Sequence, residues 1–83
     1  MKIFCNINDF DLNQTLYLIK AGKMEELGPV PTDTLAQVMV AACVQYSADT
    51  IQLSGTRQYL EGLIQKVQII SSYSEHNIKI EVI

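Results

Sequence analysis

The sequence predicts an α/β fold: a two-layer sandwich in which helices cover one face of a three-stranded parallel or mixed sheet. One observation is that residues 50–83 form a β-α-β unit, with TIQLSG and IKIEVI flanking the helix-spaced TRQYLEGLIQKVQIISSYSEHN. Another is that residues 2–8, KIFCNIN, alternate apolar and polar side chains as a strand does. Strands covered on both faces usually read as continuous apolar runs, so this alternation indicates that the helices lie on one side.

A first helix is predicted between Asp11 and Gly22. Asp11 suits the N-cap, Gln14 stands three residues later in capping-box position, and Gly22 can end the helix in a left-handed conformation. The apolar residues at helical spacing are Leu12, Leu16 and Ile19. The segment Gly-Pro-Val-Pro at 28–31 is then expected to form a stiff connector.

A second helix is predicted to begin at Thr34, with Gln37 again three residues later. Its inner stripe is Leu35, Val38, Met39, Ala42, Cys43 and Tyr46. Residues 50–54 form the second strand, Gly55 turns the chain, and apolar spacing of three and four residues predicts a third helix from Arg57 to about Tyr73. Residues 78–83 complete the order β-α-α-β-α-β.

Helices on one face favour the strand order 1-2-3, because right-handed crossovers that move in one direction along a sheet land on the same face. The second and third strands are then parallel, and the direction of the first remains open. This order lacks the reversal at which doubly wound folds bind nucleotides, so no cofactor is expected.

Size and composition indicate a single domain over residues 1–83. Its 83 residues are 48% hydrophobic and 18% charged, so part of the apolar surface is expected to contact a partner or a second copy. A net charge of −3 with six Lys and Arg residues argues against nucleic acid and anionic membranes. With no signal-peptide pattern and no membrane-span-length apolar run, we expect a soluble, cytoplasmic protein.

The residue types that most often carry chemistry give weak signals. Cys5 and Cys43 form no CxxC motif and have no histidine nearby, and His76 is the single histidine, so neither a disulfide nor a metal site is expected. Asp9 and Asp11 stand where phosphatases of the haloacid-dehalogenase type carry two aspartates, but the downstream lysine and acidic pair of those enzymes are missing. Helix capping by Asp11 is the favoured interpretation, and the chain is predicted not to be an enzyme.

The turn at Ser54, Gly55, Thr56 and Arg57 is the best candidate for a ligand site. Free N–H groups at a helix start, two hydroxyls and a guanidinium could hold a phosphate or carboxylate, such as that of a nucleotide or cyclic nucleotide. A single glycine matches neither established phosphate-binding pattern, and an ordinary capped turn is the simpler interpretation.

Candidate interface residues lie on the predicted uncovered face and the last strand. They are Phe4, Gln52, Tyr73, Lys79, Glu81 and Ile83. Alternating charge on the last strand discourages uncontrolled edge pairing, although a symmetric copy could still pair there. Tyr73 is included as a partly exposed aromatic residue of the kind enriched at protein contacts.

The stretch LSGTRQYLEGLIQKV followed by NIKIEVI resembles small uncharacterised proteins of phages and mobile elements of Gram-positive bacteria. The resemblance covers about 34 residues, in a strand-Gly-helix-strand unit, and implies no established activity. The leading hypothesis is therefore a non-enzymatic interaction module that acts as a homodimer on another protein. The alternative is a binder of a small anionic ligand at residues 54–57.

Overall fold

The computed structural model describes residues 1–8 and 10–83, which form five strands and two helices. The strands are β1 (Lys2–Asn6), β2 (Asn13–Lys20), β3 (Lys23–Pro31), β4 (Thr50–Ser54) and β5 (Lys79–Val82). The helices are α1 (Leu35–Tyr46), which follows a short 3-10 turn at Thr32–Thr34, and α2 (Arg57–Ser74). The observed order is thus β-β-β-α-β-α-β, and not the predicted β-α-α-β-α-β.

The five strands make one mixed sheet in the order β3-β2-β1-β4-β5. Strand β2 runs antiparallel to both of its neighbours, whereas β1, β4 and β5 are parallel to one another. The three strands expected from the sequence are β1, β4 and β5, and they lie side by side in the predicted order. The direction of the first strand, which the sequence left open, is parallel.

The predicted first helix is wrong, because residues 13–31 form a β-hairpin. Gln14, Leu16 and Leu18 are buried while the residues between them are not, which is the period of a strand. Ala21 and Gly22 have φ values of 52° and 75°, as required at both central positions of a two-residue hairpin turn. Asp11 therefore precedes a strand and caps no helix.

The Gly-Pro-Val-Pro segment is also part of the hairpin and not a connector between helices. Pro29 and Pro31 pair with Thr15 and Asn13 at the end of β3. Proline is tolerated there because β3 is an edge strand, whose outer side needs no hydrogen-bond donor.

One hydrophobic core lies between the sheet and both helices. Its strand residues are Ile3, Cys5, Leu16, Leu18, Val30, Ile51 and Leu53, and its helix residues include Leu35, Met39, Val40, Cys43, Leu60, Leu63 and Val67. These strand residues share one face by alternation, so α1 and α2 cover the same side. The predicted one-sided, two-layer arrangement is confirmed, with five strands in place of three.

The two cysteines are core residues, as predicted. Cys5 and Cys43 are free and fully buried. Burial raises the pKa of each thiol to about 11, and the nearby Asp49 carboxylate adds to the effect at Cys43. Since the thiolate is the reactive form, both side chains serve packing.

Candidate functional site

The face of the sheet opposite the helices carries side chains from all five strands. They are Lys2, Phe4, Asn6, Thr15, Tyr17, Ile19, Met24, Glu26, Gln52, Ser54, Lys79 and Glu81. At its centre Phe4 and Tyr17 pair across β1 and β2, with ring centroids 6.1 Å apart and planes tilted by 42°. We call this surface the open face.

Four of the predicted interface residues, Phe4, Gln52, Lys79 and Glu81, are brought together on the open face. The apolar half of the open face, formed by Tyr17, Ile19 and Met24, was not predicted, because the local pattern of residues 11–31 favours a helix and a connector. The β-branched and aromatic side chains Thr15, Tyr17 and Ile19, at every second position, are the sequence signal that could have revealed it.

The other half of the open face is polar and internally bonded. The Lys2 ammonium donates to a Glu81 carboxylate oxygen at 3.0 Å, and the Gln52 amide donates to the same oxygen at 3.3 Å. The hydrogen bond from Lys2 is the main reason that the pKa of Glu81 is lowered from its ordinary value. These contacts link β1, β4 and β5 across the solvent side of the sheet.

Strand β5 forms an edge whose outer backbone groups face away from the sheet. The N–H groups of Lys79 and Ile83 donate to Asp49 and Leu53 beside β4, at 2.8 and 2.9 Å. Because inward and outward groups alternate along a strand, the N–H and C=O groups of Ile80 and Val82 point outward. This edge is a template for another strand.

A groove of about 540 Å³ runs between α2 and β5 beside this edge. It is lined by Gly55, Arg57, Leu60, Glu61, Ile64, Val82 and Ile83. Val82 and Ile83 are exposed, so the predicted interface residue Ile83 lies at an apolar edge of the molecule.

The opposite edge, β3, is protected from pairing in several ways. It contains Pro29 and Pro31, a register irregularity opposite Leu16 and Tyr17, and the exposed charges of Glu25 and Glu26. Proline, bulges and charge are the usual means by which proteins prevent edge pairing. The two edges of the sheet are therefore not equivalent.

The turn at Ser54–Arg57 lies where β4 meets α2, as predicted. The Ser54 hydroxyl donates to the Asn6 side-chain oxygen at 2.7 Å, and its carbonyl accepts the Ile7 N–H at 2.8 Å. Arg57 has a 94% exposed side chain, 3.7 Å from the Glu61 carboxylate. Among the described residues, no side chain caps the start of α2 at Thr56.

Tyr73 and His76 belong neither to the open face nor to the turn at residues 54–57. Tyr73 is exposed near the end of α2, in the helix layer and not on the open face. His76 is half-buried, with its Nε2 atom 3.0 Å from the Ala48 carbonyl oxygen. Asp9 lies outside the described residues.

Within residues 1–8 and 10–83, no three His, Cys, Asp or Glu side chains cluster as metal ligands would. No helix in this part of the chain has the length and hydropathy needed to cross a bilayer. Comparisons of the chain with protein-family models, curated proteins and solved structures found no match.

Proposed function

We propose that this protein is a non-enzymatic interaction module that acts as a homodimer and binds another protein through its open face. The observation that carries the proposal is the one-sided covering of the sheet. Both helices pack on one side, while the other side presents an aromatic pair, Phe4 and Tyr17, next to Ile19 and Met24.

The composition of the open face supports a protein partner. An apolar and aromatic centre beside a polar, internally paired region matches the usual anatomy of protein interfaces. The pairing of Glu81 with Lys2 and Gln52 offsets part of the cost of covering this carboxylate, because one of its two oxygens already accepts two hydrogen bonds.

Replacing Met24 by Glu tests the open face directly. Met24 is 55% exposed, so the substitution should leave the melting temperature nearly unchanged while placing a charge in the apolar half of the face. We expect the tagged wild-type chain to retain a specific protein from a lysate of its native cells, and the Met24→Glu variant to lose it. Mass spectrometry identifies the retained protein.

Val44→Glu is the matched control. Val44 is 51% exposed but lies on α1, on the other side of the molecule, so this variant should retain the same protein as the wild type. Equal recovery by the Met24→Glu variant, or recovery of nothing except the chain itself, contradicts the proposal.

Binding of a small anionic ligand at Ser54–Arg57 is the second candidate function. The absence of a side-chain cap at Thr56 among the described residues, together with the exposed Arg57, favours it. A bound nucleotide or cyclic nucleotide should then raise the melting temperature, and Arg57→Ala should abolish the rise. Lys66→Ala removes a charge elsewhere on α2 as a control; a nucleotide panel without any shift rules this function out.

A further inference from the structure

We propose that β5 pairs antiparallel with β5 of a second copy, with Ile80 opposite Ile80 on the two-fold axis. The two five-stranded sheets then join into one continuous sheet with all four helices on the same side. This inference rests on the proposed function and deepens it by specifying how the homodimer forms, and it leaves the open faces of both copies side by side.

The backbone of β5 suits this register. Ile80 and Val82 are the residues of β5 whose N–H and C=O groups point outward, since Lys79 and Ile83 bond toward β4. Ile78 stands directly before the strand, at the next position of the same alternation. With Ile80 on the axis, Ile78 of each copy lies opposite Val82 of the other. Every outward group of these three residues then gains a partner, for about six hydrogen bonds in total.

Charge complementarity selects this register. Lys79 and Glu81 both lie on the open face, opposite Thr50 and Gln52 of β4. When Ile80 is on the axis, each Lys79 stands opposite Glu81 of the other copy, with Cβ atoms about 5 Å apart. Among the described residues, Lys79 forms no salt bridge within its own chain, so its ammonium is available for this contact.

Neighbouring registers are opposed by the same side chains. A shift of two residues places either Glu81 opposite Glu81 or Lys79 opposite Lys79, and like charges directly opposite destabilise a strand pair. A shift of one residue requires the second copy to turn over, which places its apolar side chains beside the open face of the first copy.

The helix side of the joint is apolar. Ile80 and Val82 alternate with the charged residues and lie on the same side as α2, where Val82 is exposed. Pairing Ile80 with Ile80 and Val82 with Ile78 of the second copy covers this surface and one wall of the groove beside α2. The β3 edge, which contains two prolines and a register irregularity, offers no comparable surface.

Charge reversal with mixing tests the register. The wild type should be a dimer in light scattering and sedimentation equilibrium. In a dimer of the Lys79→Glu variant, position 79 of each copy and position 81 of the other both carry carboxylates. In a dimer of the Glu81→Lys variant, both positions carry ammonium groups. Each variant alone should therefore have a dissociation constant at least about tenfold higher. An equimolar mixture of the two should form a heterodimer, because both facing pairs are then of opposite charge.

Lys66→Glu is the control, since it makes the same change of charge on α2 away from β5 and should dimerise as the wild type does. Circular dichroism establishes that each variant is folded. In hydrogen exchange, the Ile80 and Val82 amides should be protected in the wild-type dimer and exposed in the monomeric variants. A monomeric wild type, or single variants that dimerise normally with no preference for the mixture, overturns the proposal.

These readouts use purified protein alone and are independent of the lysate experiment. A dimer with the predicted charge behaviour but no open-face partner would contradict the interaction function and leave the dimer established. A monomeric wild type that still retains a Met24-dependent partner would contradict the dimer and support binding through the open face.

Discussion

Gly55→Ala should lower the free energy of unfolding by at least about 3 kcal/mol. A Cβ atom at position 55 would lie 2.6 Å from the Ile7 carbonyl oxygen, a backbone atom that cannot rotate away. Gly55 also has a φ of +143°, which side-chain-bearing residues rarely adopt. The substitution therefore adds a steric clash and backbone strain at the junction of β1, β4 and α2.

Urea denaturation at one protein concentration measures this effect, with Gly62→Ala as the matched control. Gly62 lies inside α2, and a Cβ atom there meets nothing within 4 Å. Alanine at this position should raise stability by about 0.5–1 kcal/mol, because it favours the helix and restricts the unfolded chain. A Gly55→Ala variant as stable as the wild type would show that Ile7 moves aside without cost.

The packing of Gly55 against Ile7 also bears on the candidate anion site at residues 54–57. Gly55 is needed where the backbone of β1 passes close to the turn, whether or not a ligand binds there. The glycine between β4 and α2 is thus accounted for by the close approach of Ile7 and by its φ of +143°, and it adds no weight to the anion-binding function.

Gln14→Leu should lower the free energy of unfolding by about 2 kcal/mol. Gln14 is only 4% exposed, and its amide NH2 group donates to the Asn8 carbonyl at 2.6 Å and to the Thr32 hydroxyl at 3.1 Å. Its side-chain oxygen accepts the Asn8 N–H at 3.0 Å. Leucine keeps the approximate volume but removes every one of these bonds, so the Asn8 N–H loses its partner while the Asn8 carbonyl keeps the N–H of Asp11 at 3.1 Å.

Gln68→Leu is the control, because Gln68 lies exposed on α2 and its replacement should change stability by less than about 0.5 kcal/mol. Amide exchange provides a second measurement, since the Asn8 N–H should exchange faster in the Gln14→Leu variant. Equal stability of the Gln14 and Gln68 variants would mean that the buried amide contributes nothing to holding the turn before β2.

Gln14 also shows why the sequence favours a helix where the structure has a hairpin. In the sequence, Asp11 and Gln14 fit a capping box, and Leu12, Leu16 and Ile19 fit a helical stripe. In the structure, Gln14 joins the turn at Asn8 to Thr32 at the end of β3. The partner that gives Gln14 its role is 18 residues away, and no local pattern specifies it.

Only part of the open face could be predicted from the sequence, again because contacts with distant residues decide which side chains belong to it. Phe4, Gln52, Lys79 and Glu81 lie on strands that their own alternation identifies. Tyr17 and Met24 belong to the face only because β2 pairs with β1 and β3, with Tyr17 opposite Phe4 and Met24 opposite Ile19. A residue's membership of a sheet face follows from the register of its strand.

Local sequence pattern was sufficient for β1, β4, α2 and β5, because period-two and helical spacing are properties that need no distant partner. It was also sufficient to place the helices on one face, since alternating strands have a single apolar side. The hairpin at residues 13–31 and the parallel direction of β1 and β4 became evident only in the folded molecule. These features depend on contacts between distant residues, whose energy outweighs the weak local preference of a segment compatible with both a helix and a strand.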